Sequence, residues 1–260
     1  MEKGALTSYL DVAQVTLYVF WAFFFGLIFW LRREDRREGY PLESDPTGRI
    51  KPSDSLLLPR PKTFLLRDGT AATAPNFRRD ERPVAARRAG AWPGAPLIPT
   101  GDPLVDGVGP AAWAERADKP DQTWDGKTKI VPTRVDPHYG VASGDPDPRG
   151  FQVIAADGKV AGIVTDIWVD RAEHVIRYLE VDAGPSVGGP LLLPMTLARV
   201  VPAGFKPGRV KVKSVLAAHF ARAPRLRDPN QVTFLEEDRI CAYFTGGHLY
   251  ATPMRSEPLL

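Results

Sequence analysis

Between Asp11 and Arg32 the chain runs through twenty residues, VAQVTLYVFWAFFFGLIFWL, without a charge. A helix rising about 1.5 Å per residue covers about 30 Å over that length, which is the thickness of a bilayer's hydrocarbon core. Tyr18, Trp21, Phe23, Phe24, Phe25, Phe29 and Trp30 cover every face of such a helix. No polar stripe is left to meet water, so a buried helix of a soluble core is the poorer reading. A secretory signal would open on a basic region and close on small residues. Here Glu2 and Asp11 precede the run, and Phe29, Trp30, Leu31 and Arg32 end it. Residues 12–31 are therefore read as one uncleaved transmembrane helix.

The flanks orient it. Lys3 is the one basic residue before the span, whereas Arg32, Arg33, Arg36 and Arg37 follow it closely. Basic residues stay on the cytoplasmic side, which predicts residues 1–11 outside and the body in the cytoplasm. The same four arginines are expected to bind anionic lipid at the membrane surface. A single cysteine, Cys241, cannot form an intrachain disulfide and suits that compartment. The net charge of +3 is no more than the four-arginine cluster alone can account for. No basic stripe interleaved with aromatics is present, so no nucleic-acid partner is expected.

Beyond the span, Gly39-Tyr40-Pro41 ends the charged extension of the helix. Of the 26 prolines, 17 fall between Pro41 and Pro148. That density excludes long helices and disfavours central strands. Yet Leu56 to Leu58, Phe64 to Leu66, Trp92, Leu97, Ile98, Val105, Val108 and Trp113 are more apolar side chain than a free linker should carry. Residues 32–120 are read as a membrane-exit segment and an extended Pro-rich region laid across another surface.

Residues 121–260 change to short strands. Phe151 to Ala156 and Val160 to Asp170 flank Asp157-Gly158, a hairpin signal. Val175 to Asp182, Leu191 to Met195 and Arg209 to Lys213 follow. Thr233-Phe-Leu-Glu236 has the spacing of a capping box, so a helix is predicted over about 233–245, stopping at Gly246-Gly247. The fold class expected is one transmembrane helix plus a mainly β domain, a small antiparallel barrel or sandwich with a short C-terminal helix.

Catalytic chemistry is not visible. His138, His174, His219 and His248 are scattered, no G-x-S-x-G or H-E-x-x-H occurs, and Cys241 falls among apolar residues as a buried, inert thiol would. The glycines of Gly101-Asp102 and Gly107-Val-Gly109 lack the Lys-Ser/Thr of a phosphate loop and read as turn residues. The chain is not expected to be an enzyme. One acidic set stands out: Asp166, Asp170, Glu173, Glu180 and Asp182, with His174 and Arg177 between them. Carboxylates shifted toward neutrality by burial or by each other can relay protons, although a salt-bridged strand edge is the commoner arrangement.

Six segments bring in a family. They are Arg37 to Glu43 (REGYPLE), Pro61 to Phe64 (PKTF), Pro99 to Trp113 (PTGDPLVDGVGPAAW), Asp166 to Asp170 (DIWVD), Leu192 to Met195 (LLPM) and Val232 to Cys241 (VTFLEEDRIC), in this order after an N-terminal span. The chain resembles the H subunit of the photosynthetic reaction centre of purple bacteria, from the span to about Gly247.

The resemblance implies a cytoplasmic PRC-barrel and an N-terminus on the periplasmic side of the intracytoplasmic photosynthetic membrane. It implies a subunit that caps the L and M subunits, shields their quinones and carries protons to the secondary quinone. Bacteriochlorophyll, bacteriopheophytin, quinone and non-haem iron would sit on L and M, with no cofactor on this chain. An antenna ring and a cytochrome subunit are further partners it allows. It also assigns Glu173 as the relay carboxylate, with Asp170 and Arg177 as its neighbours, and Asp125 as the acid at the point of proton uptake. Where the family has two surface histidines after that acid, this sequence has Lys127 and Thr128, which leaves Asp125, His138 or another surface group as the point of entry. The alternative reading is a membrane-tethered PRC-barrel adaptor outside any reaction centre.

Overall fold

The computed structural model describes residues 11–42, 44, 47, 49, 57–78, 80–184, 191–204 and 207–256. Lys3 and the rest of 1–10, Glu43 and Leu56 lie outside them. The chain divides into two compact units, Met1–Glu81 with Trp92–Gly94, and Arg82–Ala91 with Ala95–Leu260.

In the first unit, helix α1 spans Val12–Glu34. Asp11 caps it: the Gln14 amide donates to the Asp11 carboxylate at 2.7 Å, and the Gln14 side chain accepts from the Asp11 amide at 3.3 Å. Together with the 3-10 turn Asp35–Arg37, it is long and apolar enough to cross a membrane, with a mean hydropathy of 2.0 in its apolar window and none of that window buried by the chain itself. A short hairpin follows, β1 (Lys62–Leu65) antiparallel to β2 (Ala71–Ala74), with Thr63 and Thr73 hydroxyls 3.2 Å apart.

The second unit begins with another short hairpin, β3 (Ala86–Arg88) and β4 (Leu97–Pro99), and a one-turn helix α2 (Pro103–Asp106) capped by Asp102. Proline removes backbone donors, and these Pro-rich residues accordingly make only brief elements. They still contribute to the core, for Leu104, Val108 and Ala111 are buried.

Strands β5 (Ile130–Pro132), β6 (Gln152–Ile154), β7 (Val160–Asp170), β8 (Val175–Asp182), β9 (Leu191–Pro194), β10 (Ala198–Val201) and β11 (Arg209–Val212) form one sheet in the order β10-β11-β6-β7-β8-β9, with β5 also on β7. The expected mainly β domain is present. Its sheet is antiparallel except for the β11–β6 pair, which is parallel, and among the described residues no pairing joins β9 to β10 to close it. Gly158 takes a positive φ of 75° in the turn between β6 and β7. Val153, Ile167, Trp168, Leu179, Val181 and Leu193 are fully buried in the core.

Helix α3 (Phe234–Tyr250) starts on the anticipated capping box, with Thr233 and Glu236 exchanging hydrogen bonds at 2.9 and 3.2 Å. It does not stop at Gly246-Gly247 but continues through both. The reason is close packing rather than capping. A Cβ on Gly246 would lie 2.6 Å from the Ala111 Cβ, and one on Gly247 would lie 2.4 Å from Val215 and 2.5 Å from the Ser214 carbonyl.

Candidate functional site

The acidic set lies on β7 and β8, whose pairing contains two bulges. Thr165 of β7 falls between the pairs Val164↔Val181 and Asp166↔Glu180, and Arg177 of β8 falls between Trp168↔Tyr178 and Val169↔Ile176. A bulged residue is re-aimed away from simple alternation. Arg177 thereby brings its Nε to 4.0 Å from Asp170, and Thr165 donates its hydroxyl to Glu180 at 3.0 Å.

The structure divides the set into two clusters. In the first, Asp170 ends β7 with no solvent exposure. Its Oδ1 accepts the amides of Ala172 and Glu173 at 2.9 and 3.1 Å, which folds the β7–β8 turn around it. Its Oδ2 lies 3.3 Å from the Lys129 ammonium. That ammonium also lies 3.4 Å from Glu173 and 3.6 Å from Asp121. Burial opposes the charge on Lys129, but Asp170, Glu173 and Asp121 outweigh it and raise the lysine's pKa. The Glu173 side chain is 56 % exposed. One cation thus links a carboxylate at the surface to a carboxylate in the interior.

The same region continues into α3. Tyr178 donates to Glu237 at 2.8 Å, and its hydroxyl lies 3.8 Å from the Cys241 sulfur. Burial raises the pKa of all three, most strongly that of Tyr178. Arg177, Lys129 and Asp121 act on Glu237 electrostatically, the two cations favouring its charge and the acid opposing it.

The second cluster is built on Arg134, which stands 3.2 Å from Asp166 and 2.7 Å from Glu180. Trp168, fully buried, donates its indole N–H to Glu180 at 2.9 Å. Asp166 also accepts the Thr133 hydroxyl and the Arg134 amide. Every carboxylate here has hydrogen-bond donors, the condition under which such groups can be buried at all. Asp182 takes no part and accepts the Gly184 amide instead.

Asp125 belongs to neither cluster. It sits in the turn bounded by the Gln122↔Thr128 bridge, accepting the Thr123 hydroxyl and pairing with Lys127 at 3.0 Å. The Thr123 hydrogen bond, followed by Lys127, holds its pKa down to about 2. It is therefore ionised throughout the neutral range. Of the four membrane-exit arginines, Arg37 is turned inward: it binds Glu34 at 2.7 and 2.8 Å and donates to the Arg60 and Ala74 carbonyls at 2.9 and 3.0 Å. Arg36 stacks on Tyr40 at 5.1 Å, and Arg32 is exposed.

Residues 4–135 match the family described as photosynthetic reaction centre, H-chain N-terminal region. The chain belongs to the reaction-centre H-chain family. Residues 141–214 match the PRC-barrel domain, which covers β6 to β11 and with them Asp166, Asp170, Glu173 and Arg177. Lys129 and Arg134 fall in the H-chain N-terminal match, so each cluster joins residues from both parts.

Sequence reasoning grouped Asp170, Glu173 and Arg177, and the structure brings them together. It missed Lys129, Asp121, Glu237 and Arg134. Nothing local marks them, since Lys129 and Arg134 merely flank the short strand β5, and Glu237 follows a capping-box glutamate.

Proposed function

We propose that this H-chain caps the cytoplasmic face of the L and M subunits, shields their quinones and conducts protons to the secondary quinone during light-driven reduction. The observation that carries the reading is the junction of Glu173, Lys129 and Asp170, a solvent-facing acid tied through one ammonium to a fully buried acid. Glu173 exchanges protons with solvent. Asp170 holds negative charge in the interior, and Lys129 and Arg177 set the field that both carboxylates feel.

In this reading the pigments, quinones and iron belong to L and M, and this subunit supplies ionisable groups and water exclusion. Asp125, ionised by its hydroxyl and lysine partners, contributes negative potential at the surface that gathers protons. The chain crosses the membrane once, with residues 1–11 periplasmic and the sheet domain cytoplasmic. Arg32, Arg33 and Arg36 face anionic headgroups, while Arg37 holds the turn beyond the helix. An antenna ring and a cytochrome subunit are further neighbours of such a complex.

A free membrane-tethered PRC-barrel adaptor would account for residues 141–214 but not for the H-chain match over 4–135. Isolation of the tagged chain from its membranes tests the assignment. Near-infrared bacteriochlorophyll absorption should accompany it, and a colourless preparation would refute it.

A further inference from the structure

The hairpin β1–β2 is not part of the sheet domain, and its fastening to α1 has a direction. Arg37, just past the helix, donates to the Arg60 carbonyl at 2.9 Å. Two residues on, the Lys62 ammonium lies 2.9 Å from Glu34, one helical turn nearer the span, and 5.9 Å from the ring of Trp30, a further turn up. The chain from Arg60 to Lys62 therefore runs back along α1 toward the bilayer. Ala74, opposite Lys62 in the hairpin, is held to Arg37 at 3.0 Å, so the open end of the hairpin stays at the helix exit.

Strand residues advance about 3.4 Å each, so Phe64 lies about 7 Å and Leu66 about 14 Å beyond Lys62. Trp30 and Leu31 are the last apolar residues of the span, and Trp is at home at the headgroup boundary. Continuing in the same direction takes Phe64, Leu65 and Leu66 to the depth where that boundary ends. These side chains are 45 %, 82 % and 41 % exposed within the chain. Arg60, Lys62 and Arg67 flank them, a composition that suits an anionic lipid interface.

We propose that the Phe64–Leu66 end of this hairpin inserts into the lipid interface as a second membrane contact beside α1. The proposal rests on α1 crossing the bilayer. Its occupant is lipid, because the apolar triplet continues the apolar face of the span and is flanked by cations.

The test uses the full-length chain in its complex, in anionic-lipid nanodiscs, with Cys241→Ser removing the native thiol. Nitroxide labels are placed by Leu65→Cys, by Phe23→Cys in mid-span, and by Asp157→Cys in the β6–β7 turn. Collision with oxygen and with a water-soluble nickel chelate is then measured. The Leu65 label should be open to oxygen and shielded from nickel, as at Phe23, while Asp157 meets nickel freely. Nickel access at Leu65 alone overturns the hairpin insertion and leaves the span intact. Nickel access at both Leu65 and Phe23 overturns the span and the insertion together. Shielding of Leu65 from both reagents places it against protein and also overturns the proposal.

Discussion

Lys129 holds its ammonium 3.3 Å from the carboxylate of Asp170, a side chain with no solvent exposure. Removing one partner of a buried pair leaves an uncompensated charge, which costs on the order of 3 kcal/mol. Lys129→Met should lower the stability of the solubilised chain by about that much, read as a shift of the urea midpoint. Adding Asp170→Asn should recover much of the loss. Strictly additive effects of the two substitutions would show that the pair is not coupled.

A second prediction concerns acid. His219 is buried, and its Nδ1 accepts the Leu216 amide at 3.3 Å, which requires a neutral imidazole at that nitrogen. Burial, aided by Arg222 and Arg255 against Asp102 and Asp157, lowers its pKa from the ordinary 6.5. The unfolded chain therefore binds a proton that the folded chain refuses, and stability falls as pH drops below that value. His219→Gln, which can still accept the Leu216 amide, should show a shallower loss of melting temperature between neutral and acid pH. Parallel profiles for the two proteins would rule out this histidine as the cause.

Gly246→Ala and Gly247→Ala should each destabilise the chain by about 1–3 kcal/mol, although alanine is the better helix former. The clash with Ala111 in one case, and with Val215 and the Ser214 carbonyl in the other, outweighs propensity. Chemical denaturation of the two variants reads this directly. A stabilised variant would show that the helix accommodates the added methyl group and that close packing does not explain the glycine.

This glycine pair shows where local reading stops. The transmembrane run, the Asp157-Gly158 turn and the Thr233 capping box are legible because their partners lie within a few residues. Ala111 is far from Gly246 in sequence, so a close approach looked like a helix end. The same holds at the site. Asp170, Glu173 and Arg177 lie in or beside the single turn between β7 and β8, and the family motif marked them. Lys129 reaches them only because β5 pairs with β7, and Arg177 points at Asp170 only because β8 bulges there.

Cys241 should behave as a packing residue. Burial, foremost, raises its thiol pKa, and the neighbouring Tyr178 hydroxyl only partly offsets this. Reaction with an aromatic disulfide reagent should be slow in the folded protein and complete once it is unfolded. Rapid labelling of the folded chain would show that the α3–β8 contact opens readily.

The central claim is that Glu173 lies on the proton route to the secondary quinone. The direct measurement is the flash-spectroscopic rate of the second, proton-coupled electron transfer in complexes carrying Glu173→Gln, followed across the neutral pH range. The account predicts a slowed transfer, because the surface end of the Lys129-linked carboxylates can no longer exchange a proton. A rate equal to that of the unmodified complex at every pH would contradict it.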